Sequence, residues 1–181
     1  MIQLGTKYKL YMINLSVPYC KQINNSACGA ACLEMIYKYY ELNNISQEEI
    51  FNKYKKTDPH NTKGVNILTK DLVLDAQSRG FLSEIVRADF TDTKNSIALL
   101  KQFLIDDIPL IVCLQYSLKL PLLGHFRVVI GIDEKNIYFH DPDNTIENGE
   151  SLNLSHKEFM KLWQPTGQNV TGGRFVWIKK Q

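Results

Sequence analysis

Residues 22–33 of the 181-residue chain read QINNSACGAACL, and they pass from a polar turn into an apolar segment. From this point apolar side chains recur at the spacing i, i+3, i+4, i+7, i+8 and i+11, which is one face of an α-helix. They are Cys28, Ala31, Cys32, Met35, Ile36 and Tyr39. Ser26 is the predicted N-cap, because its hydroxyl can accept a hydrogen bond from the first turn. The sequence therefore predicts a helix with a cysteine near its start.

Cys28 lies in the first turn of this predicted helix, where unpaired N–H groups and the helix dipole favour a negative charge. Such a setting lowers the pKa of a thiol, and the thiolate is the nucleophilic form. Gly29 follows directly and leaves room for a substrate backbone. Cys32 and Cys113 have apolar neighbours and are predicted to belong to the core, whereas Cys20 stays undecided in a loop-like segment. Cys28 is the candidate nucleophile.

A nucleophilic cysteine needs a general base, and that base needs an orienting partner. His125 opens an apolar strand over residues 125–132, and after a turn the chain returns over residues 137–140 to Asp141. Both side chains then lie at the same end of a β-hairpin. Simple counting leaves them about three residues out of register, or roughly 10 Å apart. A bulge or a twist of the sheet is needed to bring them together.

The other polar candidates are weaker. Gln22 lies six residues before the candidate nucleophile, so its amide is a candidate donor to the oxyanion of an acyl-transfer reaction, together with the backbone N–H of that cysteine. His140 ends the returning strand and faces the opposite side from the residue after it. His156 is predicted at the surface beside a helix start, and His60 lies in a polar loop.

The remaining elements follow from local patterns. Ser46 and Ser155 each have a glutamate three residues later, which is the capping-box pattern, and they open predicted helices that end near Tyr54 and Trp163. Further predictions are helices over 66–79 and 95–106, a loop over 58–64, and strands over 8–15, 81–87, 110–115 and 174–179. Helices dominate the first half and strands the second. This segregation favours an α+β fold, with the N-terminal helical half packed on a C-terminal antiparallel sheet.

Composition excludes several classes of protein. With 21 Lys+Arg and 19 Asp+Glu the formal net charge is +2, which gives no basic field for nucleic acid. No apolar run approaches the roughly 18 residues of a membrane span, and no signal peptide is recognisable. We therefore expect a single domain over residues 1–181, a cytoplasmic location and reduced thiols. The cysteine spacings do not match zinc pairs, so no metal or other cofactor is expected.

Three motifs together resemble the C39 family of cysteine peptidases. They are QxxxxxCGAACL at residues 22–33 with a tyrosine pair after it, HFxVVI at residues 125–130 with Asp-Pro at 141–142, and SxxEFxxxW at residues 155–163. The resemblance covers residues 17–165 and keeps the family order of cysteine, histidine and aspartate. It implies a papain-like fold. In the best-known members of the family this domain precedes a membrane span and a nucleotide-binding domain; no span and no Gly-x4-Gly-Lys-Ser/Thr motif is found in this sequence, so we expect a domain that stands alone.

The same resemblance implies a role for each candidate residue. Cys28 would be the nucleophile, His125 the base and acid, Asp141 the orienting partner, and Gln22 the oxyanion donor. The family includes bacteriocin-processing peptidases that often cleave after a double-glycine leader motif. A peptide or protein substrate and association with a separate transporter are therefore implied. Arg127 departs from the pattern, because an apolar residue is expected at that position.

Two other functions are compatible with these residues. A papain-like amidase or transpeptidase would use the same nucleophile on a non-protein thiol or peptide substrate, since a shared site does not fix the substrate. A non-catalytic C39-like module would only bind a peptide or a partner. The presence of Cys28, His125, Asp141 and Gln22 in one chain argues against the binding module. The leading hypothesis is a cysteine peptidase.

Overall fold

A computed structural model describes residues 12–58, 61–166 and 172–181. The helices within these ranges are α1 (Cys28–Tyr39), α2 (Gln47–Tyr54), α3 (Thr69–Ser78), α4 (Thr93–Ile105) and α5 (His156–Leu162). The strands are β1 (Ile13–Asn14), β2 (Lys56–Asp58), β3 (Asn61–Asn66), β4 (Phe81–Arg87), β5 (Leu110–Ser117), β6 (Leu120–Ile132), β7 (Asn136–His140), β8 (Leu152–Ser155) and β9 (Arg174–Lys180).

One antiparallel sheet forms the C-terminal layer. Its strand order is β4-β9-β5-β6-β7-β8, and β1 pairs with β6 beside this path. All of the described pairings are antiparallel. Helices α1 and α4 both pack against β6, the central strand of the later hairpins. The segregated α+β arrangement predicted from the sequence is therefore confirmed, with β4 as a contribution of the first half to the sheet.

The helix α1 is buried on more sides than one apolar face requires. Cys32, Met35 and Ile36 of the predicted face have no exposed surface, and neither do Leu33 and Tyr37 on other sides. The reason is that α1 packs against β6 on one side and against α2 and α3 on others. A helix enclosed in this way has a fixed axis, so the residue at its N-terminus has a fixed position.

The prediction that Ser26 caps α1 is wrong. The N-cap is Ala27, which makes no side-chain cap. The reason is an Asn24 turn, in which the Asn24 side chain accepts from the Ser26 N–H at 2.9 Å and its carbonyl accepts from the Ala27 N–H. Cys28 is therefore the first residue of the helix. Its N–H belongs to the group that has no acceptor within the helix.

The boundaries of several other elements also differ from the predictions. Of the predicted loop over 58–64, Asp58 belongs instead to β2 and residues 61–64 belong to β3, two strands that pair Thr57 with Val65, while residues 59–60 lie outside the described residues. For this reason the helix predicted over 66–79 begins at Thr69, where the Asp71 carboxylate accepts from the Leu68 N–H at 3.2 Å. The predicted strand over 8–15 is seen as Ile13–Asn14, and its first part lies outside the described residues.

The serine caps and the later elements are confirmed. Ser46 accepts from the Glu49 N–H, and Ser155 forms the complete capping box with Glu158. The predicted strands at 81–87, 110–115, 137–140 and 174–179 and the helix at 95–106 match within a few residues. Strand β8 was not predicted, and β6 begins five residues before His125. Among the described residues, no helix is long and apolar enough to cross a membrane.

Candidate active site

A β-bulge sets the register of the β6–β7 hairpin. The register shifts by one residue between Val129 and Gly131, so Ile130 is the extra residue on β6. A bulge bends the strand and moves every later pair by one position. By simple counting His125 and Asp141 are out of register, so an irregularity of this kind is needed to bring the two side chains into contact.

The bulge places Asp141 on the same face as His125. Beyond it Val128 pairs with His140, so the next position puts Asp141 opposite Arg127, which faces the same side as His125. Without the extra residue Asp141 would stand opposite Val128 and face away. Diagonal neighbours on one face are close enough for long side chains to meet. His125 Nε2 lies 2.6 Å from Asp141 Oδ1.

The Cys28 thiol completes the cluster from the helix side. It interacts with His125, and this interaction lowers the pKa of the thiol; Nδ1 is the ring nitrogen that the contact with Asp141 leaves free. Cys28 is half-buried, whereas His125 and Asp141 are buried. The helix α1 thus presents its first side chain to β6, next to an imidazole that is held by the Asp141 carboxylate.

The electrostatics of the cluster favour an ion pair. Burial by itself would raise the pKa of the Cys28 thiol, but the hydrogen bond and charge of His125, with the N–H groups of Phe126 and Gly29, hold it below its ordinary value. Burial would lower the pKa of His125, but its bonds to Asp141 and Cys28 raise it to about 9. At pH values between the lowered pKa of the Cys28 thiol and the raised pKa of His125, the thiolate–imidazolium form is favoured.

The other three thiols have the opposite electrostatics. Burial raises the pKa of Cys20, Cys32 and Cys113, in the last case to about 12. Cys32 is fully buried, and Cys113 is half-buried and packs against the core. Cys20 is half-buried beside Lys38, whose Nζ lies 3.3 Å from its sulfur. Cys28 is the one cysteine of the four with a lowered thiol pKa.

Asp141 is held on both of its oxygens. Oδ1 also accepts from the Asp143 N–H at 3.0 Å, and Oδ2 accepts from Arg127 Nε at 2.6 Å. Burial would raise the pKa of this carboxyl, but the hydrogen bond to His125 and the charge of Arg127 hold it well below its usual range. The carboxylate therefore stays ionised beside the imidazole ring.

Gln22 lies near this cluster but is bound to the loop after β7. It is buried, its N–H donates to the Pro142 carbonyl at 2.8 Å, and its Nε2 lies 3.4 Å from Asn144 Oδ1. The Oε1 atom is buried without a partner. Tyr19 strengthens the same connection, since its hydroxyl donates to the Asp141 carbonyl. The segment before α1 is thus joined to the loop that follows Asp141, and the oxyanion role of Gln22 stays a prediction.

The sequence missed two further side chains beside His125. The Tyr116 ring meets the imidazole edge-on, with ring centroids 5.4 Å apart. Its hydroxyl donates a hydrogen bond to the Asp143 carboxylate, which also accepts from Thr145. Asp143 is two residues after Asp141, and this spacing was the only signal for it. The Tyr116 ring therefore packs against the imidazole, and Asp143 holds the Tyr116 hydroxyl.

Two other histidines lie outside the cluster. His140 faces away from Asp141, as the strand alternation predicts, and bonds with the Val17 carbonyl and the Ser151 N–H. His156 is half-buried rather than on the surface, because it lies on α5, which packs against neighbouring elements. Its Nε2 is buried without a partner. His60 lies outside the described residues.

Comparison with known proteins supports the resemblance to the C39 family. The family model described as "Peptidase_C39 like family" matches residues 14–171. The chain is also 29% identical over 145 residues to the pediocin PA-1 transport/processing ATP-binding protein PedD of Pediococcus acidilactici. The aligned region covers 80% of this chain and 17% of that relative. This chain therefore corresponds to a small part of the relative.

Solved structures with a similar fold include peptidase domains of transporters. The peptidase domain of Streptococcus ComA, a bifunctional ABC transporter in a quorum sensing pathway, has a TM-score of 0.63 at 22% identity, covering 90% of this chain and 97% of that one. A double glycine motif protease from an AMS/PCAT transporter, in complex with the leader peptide, has a TM-score of 0.62 at 20% identity, covering 93% and 94%. The papain-like fold is thereby confirmed, and the chain belongs to the Peptidase_C39 like family.

Proposed function

We propose that the protein is a cysteine peptidase that cleaves peptide bonds by acyl transfer. The observation that carries the proposal is the grouping of Cys28, His125 and Asp141, in which His125 Nε2 lies 2.6 Å from Asp141 Oδ1 and the interaction with His125 lowers the pKa of the Cys28 thiol. A nucleophile, a base within hydrogen-bond reach and an orienting carboxylate are the arrangement that nucleophilic catalysis requires. Membership in the C39 family supports the same reaction.

In the proposed reaction the Cys28 thiolate attacks the carbonyl carbon of the scissile bond. The backbone N–H of Cys28 and the side-chain amide of Gln22 stabilise the oxyanion of the tetrahedral intermediate. His125 then donates its Nδ1 proton to the leaving amine, and a thioester remains on Cys28. In the second half His125 takes a proton from water, the resulting hydroxide attacks the thioester, and the peptide acid leaves. Asp141 stabilises the imidazolium throughout.

We further propose that the substrate carries a leader peptide with small residues before the cleaved bond. The support is the similarity to a double glycine motif protease bound to a leader peptide and to a transport/processing protein for pediocin PA-1. By the same similarity, the protein would act on the cytoplasmic side of a separate transporter. A reducing compartment suits this site, because an activated thiolate is easily oxidised.

The proposal is tested by incubating the protein with a peptide library that contains Gly-Gly and other small-residue sites. Mass spectrometry of the products is expected to show cleavage after small residues by the wild type and none by Cys28→Ala. The matched control is Cys20→Ala, which removes a thiol whose pKa is raised and should cleave like the wild type. Equal cleavage by wild type and Cys28→Ala would exclude Cys28 as the nucleophile.

The same experiment separates the two alternative functions. An amidase or transpeptidase would leave the library intact but would release amine from glutathione-like thiol peptides in a Cys28-dependent way. A binding module would change neither substrate and would bind peptide equally well with and without the Cys28 thiol. Either result would contradict the peptidase proposal.

The rate of cleavage is expected to follow a bell-shaped pH profile. The reactive form has Cys28 deprotonated and His125 protonated, so the rate falls at low pH as the thiolate gains a proton. It falls again as pH rises through about 9, where His125 loses its proton. These limits belong to the coupled pair. A profile of kcat/KM from acid to alkaline pH checks this, and a rate that rises steadily through pH 9 would contradict it.

A further inference from the structure

The guanidinium of Arg127 occupies the side of Asp141 that faces away from His125. Its Nε donates to Asp141 Oδ2 at 2.6 Å. Its two terminal nitrogens donate to main-chain carbonyls of β5, Nη1 to Gln115 at 3.3 Å and Nη2 to Tyr116 at 3.0 Å. The β5–β6 register is irregular between Gln115 and Ser117, and Arg127 bonds to carbonyls in this irregular part. All three nitrogens of the guanidinium are therefore bound.

Stability alone is a poor reason for this arrangement. Arg127 is 6% exposed and Asp141 is also 6% exposed, so both charges have lost most of their water. A buried ion pair often contributes no more than an apolar pair of the same size, because desolvation offsets the attraction. Arg127 also lies in a strand whose neighbours Phe126 and Val128 are apolar, and an apolar residue is expected there from the family pattern.

We propose that Arg127 is a positioning residue for the acyl-transfer site. It holds the second oxygen of Asp141, so that the first oxygen stays aligned with His125 Nε2 and the ring keeps its other nitrogen toward Cys28. This inference rests on the proposed function of Cys28, His125 and Asp141. Arg127 itself contacts neither the thiol nor the ring in the described hydrogen bonds.

Arg127 restricts the rotation of the Asp141 carboxylate. A carboxylate bound through one oxygen can rotate about its Cβ–Cγ bond, and the imidazole ring it holds would turn with it. A guanidinium presents donors in a fixed planar fork, and here that fork is bound to two main-chain carbonyls.

Other titratable side chains also surround the cluster. They are Cys32 from α1, Cys113 and Tyr116 from β5, and Asp143 after β7.

The test compares Arg127→Met and Arg127→Lys with a matched control. Arg127→Met keeps an unbranched side chain in place of the aliphatic stem and removes the fork, and kcat is expected to fall about 10- to 100-fold with KM within about twofold. Arg127→Lys restores a charge but cannot bond both carbonyls, so its kcat should lie between those of the Met variant and the wild type. The control is Arg79→Met, which removes a guanidinium bonded to the fully buried Asp75 in α3.

Activities are expressed per folded molecule, measured by circular dichroism. Arg79→Met should keep the wild-type kcat, because Arg79 bonds to Asp75 and Glu49 and not to the site. An equal loss of kcat in both Met variants would overturn the positioning role. If Arg127→Met does not fold, Arg127→Lys decides: a kcat equal to that of the wild type would overturn the proposal.

A double-mutant cycle identifies the residue through which Arg127 acts. In an Asp141→Asn background the Arg127→Met change should cause little further loss of kcat, because both changes disturb the same carboxylate. A full additional loss would overturn the route through Asp141.

The rate of Cys28 alkylation by iodoacetamide gives a second readout that needs no substrate. It should fall at least about tenfold in Arg127→Met at neutral pH, since the imidazolium that favours the thiolate is less well held. If the wild type cleaves no peptide, the proposed peptidase function fails, while the alkylation rates still decide the role of Arg127. If the wild type is active and Arg127→Met matches it in both measurements, the Arg127 proposal alone fails.

Discussion

A His125→Ala variant is expected to lose peptide cleavage by a factor on the order of 10⁴ or more. Two effects act together. The leaving amine loses its proton donor, and the Cys28 thiol loses the hydrogen bond and charge that lower its pKa. Burial then dominates, and the pKa of the thiol rises toward those of the other buried cysteines. The measurement is kcat/KM on the peptide selected from the library.

The control for this variant is His156→Ala. His156 is half-buried and lies on α5, outside the hydrogen bonds of the site, so its removal should leave kcat/KM within about threefold of the wild type. Circular dichroism reports whether each variant folds. A His125→Ala variant that folds and keeps more than about one tenth of the wild-type kcat/KM would contradict the assignment of His125 as the base.

An Asp141→Asn variant is expected to lose cleavage by about 10²- to 10⁴-fold. The amide is neutral, so it no longer stabilises the imidazolium on His125, and it can donate to the ring nitrogen and select the wrong tautomer. The pKa of His125 should fall from its raised value, because Asp141 is the first interaction that raises it. The alkaline limit of the pH profile should therefore move to lower pH.

Stability has to be separated from chemistry in this variant. Asp141→Asn leaves the buried Arg127 charge without its partner, and breaking a buried pair costs about 3–5 kcal/mol. Asp75→Asn is the matched control, since Asp75 is a buried carboxylate bonded to Tyr37 and Arg79 in the helical layer. It should lose comparable stability in a denaturant titration but keep kcat per folded molecule. Equal kcat losses in the two variants would contradict a catalytic role for Asp141.

Much of the fold follows from local sequence signals. The serine caps at Ser46 and Ser155 and the apolar strands of the second half predict elements that lie where expected. The N-cap of α1 does not follow, because Asn24, Ser26 and Ala27 are all polar or small and two competing turn geometries fit them. The hydrogen bonds of Asn24 decide in favour of the turn.

The geometry of the site depends on one residue of register that local patterns do not determine. The types and order of Cys28, His125 and Asp141 are readable from the sequence, but their contact requires the bulge at Ile130. A glycine inside a strand is a weak signal of a bulge or a close approach, and Gly131 is such a residue. A side chain there would meet the Ile13 carbonyl at 2.5 Å, so this glycine allows β1 to pair with β6.

Arg127 stands out in the sequence, but the sequence does not explain why an arginine is present at this position. A charged residue in an apolar strand is a departure from the pattern, and strand alternation puts it on the same face as His125. Its partner Asp141 becomes visible only when the register is known, because one residue fewer would turn Asp141 to the other face. Long-range contacts of this kind depend on the whole hairpin rather than on neighbouring residues.

The assignment of Cys28 as an activated nucleophile is tested most directly by measuring its thiolate character. Wild-type protein is treated with iodoacetamide at about pH 6, where an ordinary thiol is almost fully protonated, and modification of each cysteine is followed by peptide mass spectrometry. Cys28 is expected to react at least about tenfold faster than Cys20, and the difference should disappear in His125→Ala. A Cys28 that reacts no faster than Cys20 in the folded wild type would contradict an activated nucleophile at this site.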